Sequence, residues 1–119
     1  MSNLGNYVEK FSHAVFESSC YETPEFKKFY NGFKKALKAD LVGSGIELAN
    51  ISKGHFYISG FLKKGEKYVY FSVRDVRDYD WHRQALYRTA KSVKDYTGGQ
   101  NRFCSFGGLV KSCERLLEG

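Results

Sequence analysis

Apolar residues recur along this chain with two different periods, and the change from one to the other divides it. Leu4, Val8, Phe11 and Ala14 or Val15, with Ser18 closing the series, fall three or four residues apart. That spacing predicts a first amphipathic helix over residues 6–19. A second helix is better punctuated. Thr23 is a favourable N-cap, Pro24 stands at the first helical position, and Glu25 lies in the first turn, where the helix dipole favours an acid. Phe26, Phe29, Tyr30, Phe33, Ala36 and Leu37 supply its apolar face up to residue 39 or 41. Asn31 and Gly32 weaken its middle.

After Gly43-Ser44-Gly45 the apolar period falls toward two, which predicts strands. The first covers residues 46–51, and Ser52-Lys53-Gly54 turns the chain into a second over 55–62. Lys63-Lys64-Gly65-Glu66 connects that strand to a third over 67–73, giving an antiparallel hairpin. Residues 73–81 alternate in charge and read as a long exposed connection. A fourth strand follows over 85–91, then a loop over 95–102, a short extended piece over 103–106, and a C-terminal helix carrying Leu109, Val110, Cys113, Leu116 and Leu117. The expected fold class is therefore α+β: an antiparallel sheet of three to four strands with two N-terminal helices and one C-terminal helix.

Composition fits one domain. The chain has 119 residues, 42% hydrophobic and 17% aromatic, and ten Phe and nine Tyr can build a core with few Leu and Ile. Cys20, Cys104 and Cys113 are odd in number and lack metal-ligand spacing, so they read as small buried hydrophobes and no cofactor is expected. The N-terminus has no basic stretch followed by an apolar run, and no segment has membrane-spanning length. A location in the bacterial cytoplasm is expected.

Charge narrows the partners. The net charge is +6, but residues 1–25 hold four acids against one base, and the remainder holds eighteen bases against nine acids. Such a balance favours an anionic partner: nucleic acid, a nucleoprotein or an acidic protein face.

Four constellations could carry chemistry. Strand alternation sends Phe56, Ile58, Gly60 and Leu62 to one face and Tyr57, Ser59 and Phe61 to the other, and it separates Val69, Phe71 and Val73 from Tyr68, Tyr70 and Ser72. Tyr57, Tyr68 and Tyr70 then form a partner-binding platform flanked by Lys53, Lys63, Lys64 and Lys67. Rings among bases suit single-stranded nucleic acid or a protein interface. The plainer alternative buries these rings under the 73–81 connection. Lys27, Lys28, Lys34, Lys35 and Lys38 make a basic helix face, suited to phosphates or to plain solvation. Asp75, Asp78, Asp80 and His82 crowd one connection as a metal or nuclease option, although Arg74, Arg77 and Arg83 between them favour local ion pairing. Thr97-Gly98-Gly99, near Lys91, Lys94 and Arg102, offers backbone amides to an anion, but no phosphate-loop motif is present. RNA-recognition-motif and double-stranded-RNA-binding patterns fit poorly, the first because two helices precede the strands, the second because the last helix lacks a lysine cluster.

The stretch from Gly54-His55-Phe56-Tyr57-Ile58-Ser59-Gly60-Phe61 through Tyr68 to Arg77, then Arg88-Thr89-Ala90-Lys91 and Lys94 to Gly99, resembles small accessory proteins of bacterial phages and plasmids. The resemblance implies a mobile-element protein, a class that includes anti-CRISPR inhibitors, and carries no residue role with it. The expectation is a non-enzymatic binder of a protein or ribonucleoprotein that handles nucleic acid. Direct DNA or RNA binding and a metal-dependent nuclease are the alternatives.

Overall fold

A computed structural model describes residues 2–16, 23–78, 81, 84–96 and 99–118. Helix α1 spans Asn3–Val8, and a single 3-10 turn follows at His13–Val15. Helix α2 spans Pro24–Leu41. The strands are β1 Glu47–Lys53, β2 Ile58–Lys64, β3 Lys67–Val73, β4 Ala85–Ala90 and β5 Arg102–Cys104. Helix α3, Leu109–Glu118, closes the chain after a 3-10 turn at Phe106–Gly108. The strands form one antiparallel sheet in chain order, each beside its predecessor. The α+β class and the antiparallel sheet stand as expected; the strand count is five.

Helix α2 forms as its sequence signals. Thr23 Oγ1 accepts the Phe26 amide at 3.2 Å, and Phe26, Phe29, Phe33, Leu37 and Leu41 are buried along one side. Gly32 has a packing reason: a Cβ there would run into the ring of Tyr7, whose hydroxyl donates to Phe29 O.

The first helix is much shorter than expected. Ser2 caps it by accepting the Gly5 amide, and the chain leaves the helix after Val8 so that Phe11 and Phe16 can meet Phe29, with ring centres 4.8 and 5.3 Å apart. Residues 17–19, the end of the expected helix, lie outside the described residues.

Strand β1 continues to Lys53, two residues beyond expectation, with a bulge between Leu48 and Asn50. The second strand starts three residues late, because Phe56 takes φ 58°, a left-handed conformation that an ordinary side chain rarely adopts. The hairpin loop is two residues: Lys64 pairs with Lys67, and Gly65 supplies φ 64°. The fourth strand stops at Ala90, one residue early. A fifth strand occupies residues 102–104, where a loop end and an extended piece were expected.

The helices share one face of the sheet. Their buried residues join Ile58, Leu62, Val69, Phe71, Val73 and Ala85 in a single cluster. The 73–81 connection contributes to this core, contrary to expectation: Val76 and Trp81 are buried there, and Trp81 packs edge-on against Phe16 and Phe29. No helix among the described residues is long and apolar enough to cross a membrane.

Candidate functional site

The sheet face away from the helices is built by register. Ser59 pairs with Ser72, Phe61 with Tyr70, and Lys63 with Tyr68; β4 sets Leu86, Arg88 and Ala90 beside Ser72, Tyr70 and Tyr68, and β5 adds Phe103 beside Leu86. Tyr68 and Tyr70 thus lie on one face, as expected. Among the described residues of the 73–81 connection, Val76 and Trp81 pack into the core on the helix-facing side and do not cover them. Tyr96, from the chain after β4, leans edge-on against Phe61 and Tyr70 with ring centres 5.4 and 5.8 Å apart. Phe61 is fully buried beneath, while Tyr96 and Phe103 are 54% and 52% exposed.

Arg88 holds this arrangement. It is 3% exposed, its guanidinium carbon lies 4.4 Å from the Tyr70 ring centre, and it donates to Thr89 O and, through Nη2 at 3.1 Å, to Asp95 O. Among the described residues no carboxylate pairs with it. Carbonyl dipoles and the ring face therefore offset the cost of burying the charge. The bond to Asp95 O ties the segment that carries Tyr96 to the sheet. Gly99 completes the tie, since at φ 77° it lies so close to the Thr89 carbonyl that a Cβ would collide with it.

Of the flanking lysines, Lys63 belongs to this surface, its ammonium 5.6 Å over the Tyr68 ring. Lys64 and Lys67 do not. Their register places them on the helix-facing side at the hairpin end, where Lys64 approaches Glu118 at 3.7 Å. Tyr57 also leaves the platform: the left-handed Phe56 takes it out of the strand, and its ring, half-exposed, lies over Gly54. Lys53 sits on β1, with its ammonium 6.0 Å from the ring of Tyr30 on α2.

That second location gathers the expected helix face. Lys34 places its ammonium 5.6 Å from the same Tyr30 ring, whose hydroxyl donates to Ile51 O. Lys27 and Lys38 lie on the same side of α2, whereas Lys28 and Lys35 turn toward α1. None of these five lysines pairs with a carboxylate among the described residues.

In the acidic connection, Asp75 forms a local ion pair with Arg77. Asp75 accepts Arg77 Nε at 3.0 Å, Nη2 at 2.7 Å and the Arg77 amide at 2.9 Å. Burial alone would raise the Asp75 pKa, but these hydrogen bonds and the guanidinium charge outweigh it and hold the carboxyl below its ordinary value. Asp78 borders a hollow of about 160 Å³ with Arg74, Asp75, Trp81 and Gln84. Asp80 and His82 lie outside the described residues, and no group of three metal-ligating side chains occurs among those described. Of the anion loop, Thr97 and Gly98 also lie outside. Cys113 is buried and Cys104 half-buried, and burial raises both thiol pKa values; Cys20 is outside the described residues.

Arg88, Tyr96 and Phe103 do not stand out in the sequence. Alternation within β4 and β5 sorts Arg88 and Phe103 by face, but knowing which face Tyr70 shares requires the strand order, and Tyr96 lies in the loop between those strands, where no alternation places it. The fold and this surface define a class: an antiparallel α+β domain with helices on one sheet face and half-exposed rings on the other. No family model, curated protein or solved structure matches the chain.

Proposed function

We propose that this is a non-enzymatic mobile-element protein that binds a protein component of a nucleic-acid-handling complex, a CRISPR effector among them, in the bacterial cytoplasm. The observation that carries the reading is the sheet face of Tyr68, Tyr70, Tyr96 and Phe103. Its centre is aromatic and fixed from below by Phe61 and Arg88, Lys63 stands at its edge, and the exposed Lys91 and Lys94 belong to the segment that bears Tyr96. An apolar, ring-rich centre with a charged rim is the anatomy of a protein interface, and rigid Tyr and Phe anchors there cost little side-chain entropy on binding. A phosphate-binding face would need more free charge at its centre, where Arg88 is already engaged by carbonyls. The resemblance to phage and plasmid accessory proteins supports the mobile-element origin.

Affinity capture from a bacterial lysate, with interference assays on the recovered complex, tests the proposal. The full chain recovers a nucleic-acid-handling complex and alters its activity, and Phe103→Glu weakens recovery about 30-fold or more, as for a central anchor. Recovery of no such complex, or undiminished recovery by Phe103→Glu, overturns it.

A further inference from the structure

Two motifs that stand far apart in the sequence meet at the side of the molecule formed by α2 and β1. We infer that Lys27, Tyr30 and Lys34 of α2, with Lys53 at the end of β1 and Tyr57 in the following turn, bind single-stranded nucleic acid. The lysines would take the phosphates, and the Tyr57 ring would stack a base.

The helix positions 27, 34 and 38 share one side of α2 and are all lysine, and none of them has a carboxylate within 4.0 Å among the described residues. A solvated helix commonly relieves such charge with glutamates three or four residues away, yet the acids of α2 lie elsewhere. Glu25 is in its first turn, and Asp40 is occupied by Ser2 Oγ and the Asn3 and Leu4 amides. The fold adds to this concentration of charge by bringing the Lys53 ammonium to the same ring as that of Lys34, at 6.0 and 5.6 Å from the Tyr30 centre. A polyanion that displaces its counterions onto this surface gains most of its affinity from their release.

An exposed ring among these charges selects single strands. Tyr57 is 46% exposed, separated from Lys53 only by Gly54, His55 and Phe56, whose φ of 58° turns the chain. Gly54 N–H donates to Tyr57 O at 3.0 Å, and the absent Cβ of Gly54 lets the ring lie flat against the turn. A fixed, exposed ring next to phosphate-binding cations suits an unpaired base, whereas a duplex offers this surface phosphates alone.

Fluorescence anisotropy of the full chain with labelled oligothymidylate, the matching duplex and polyglutamate, over a range of salt, tests the inference. Oligothymidylate binds, and its log affinity falls linearly with log salt. Lys34→Gln with Lys53→Gln reduces that slope by about 0.7 for each contact removed. Tyr57→Ala weakens binding about 10-fold with the slope unchanged, Tyr57→Phe retains it, and Phe103→Glu has no effect. Retained circular dichroism of each variant confirms folding. No binding at low salt, binding indifferent to the two lysine changes, equal duplex binding indifferent to Tyr57→Ala, or binding of polyglutamate in preference to oligothymidylate each overturns it. Because Phe103 and Tyr57 lie on different surfaces, failure here leaves the protein-binding face untouched, and the reverse also holds.

Discussion

Asp40 shows how much one side chain can organise. Its carboxylate accepts Ser2 Oγ at 2.6 Å and the Asn3 and Leu4 amides at 2.7 and 3.0 Å, so a residue near the end of α2 satisfies the open amides at the start of α1. Burial would raise its pKa, but the hydrogen bonds outweigh that and hold it below the ordinary value. A carboxyl with a depressed folded-state pKa adds stability above its unfolded-state pKa of about 3.9 and loses it as pH falls through the folded value. Asp40→Ala should therefore cost about 1 to 2 kcal/mol in urea unfolding at neutral pH, comparable with loss of a helix cap. The difference from the native chain should shrink as pH drops below about 4. An undiminished difference in acid would mean that the side chain acts by packing alone. At this scale Phe56 was the residue that sequence could not read. Its left-handed backbone interrupts the alternation on which the placement of Tyr57 depended, and nothing in a phenylalanine signals φ 58°.

At the scale of elements, what was legible followed from local signals. Helix α2 announced itself through Thr23, Pro24 and a regular apolar face, and β3 through strict alternation from Lys67 to Val73. Helix α1 was overextended because Phe11, Ala14 and Val15 continue its period, although Phe11 is drawn away by a cluster of rings distant in sequence. The outer face was half-legible: Tyr68 and Tyr70 were found, but Tyr96, Phe103 and Arg88 join them only through the order of β3, β4 and β5. Arg88 is the element-level tie. Arg88→Leu removes its hydrogen bonds to the Thr89 and Asp95 carbonyls and loosens the segment bearing Tyr96. Hydrogen exchange should accelerate in residues 91–96 and stay slow in the β2–β3 hairpin. Unchanged exchange after β4 would show that the other contacts of that segment, the Lys91 amide on the Asp95 carboxylate among them, suffice to hold it.

The whole molecule presents two unlike surfaces on one scaffold. The outer sheet face has an aromatic centre with Lys63 at its edge; the α2–β1 side has lysines gathered around Tyr30 and an exposed Tyr57. A net charge of +6, with the excess of bases after residue 25, is the overall measure of the second surface and says little about the first. Sequence joined the two into one platform because Tyr57 and Lys53 stand close in the chain to Tyr68 and Lys63. The fold separates them onto different faces. If the outer face meets a partner protein, site-specific photo-crosslinking in bacterial cells detects the contact. A photoreactive residue at Phe103 should give a covalent adduct with a component of a nucleic-acid-handling complex, and the same residue at the exposed Lys28 should give none. Adducts from Lys28 without any from Phe103 would place the partner on another face.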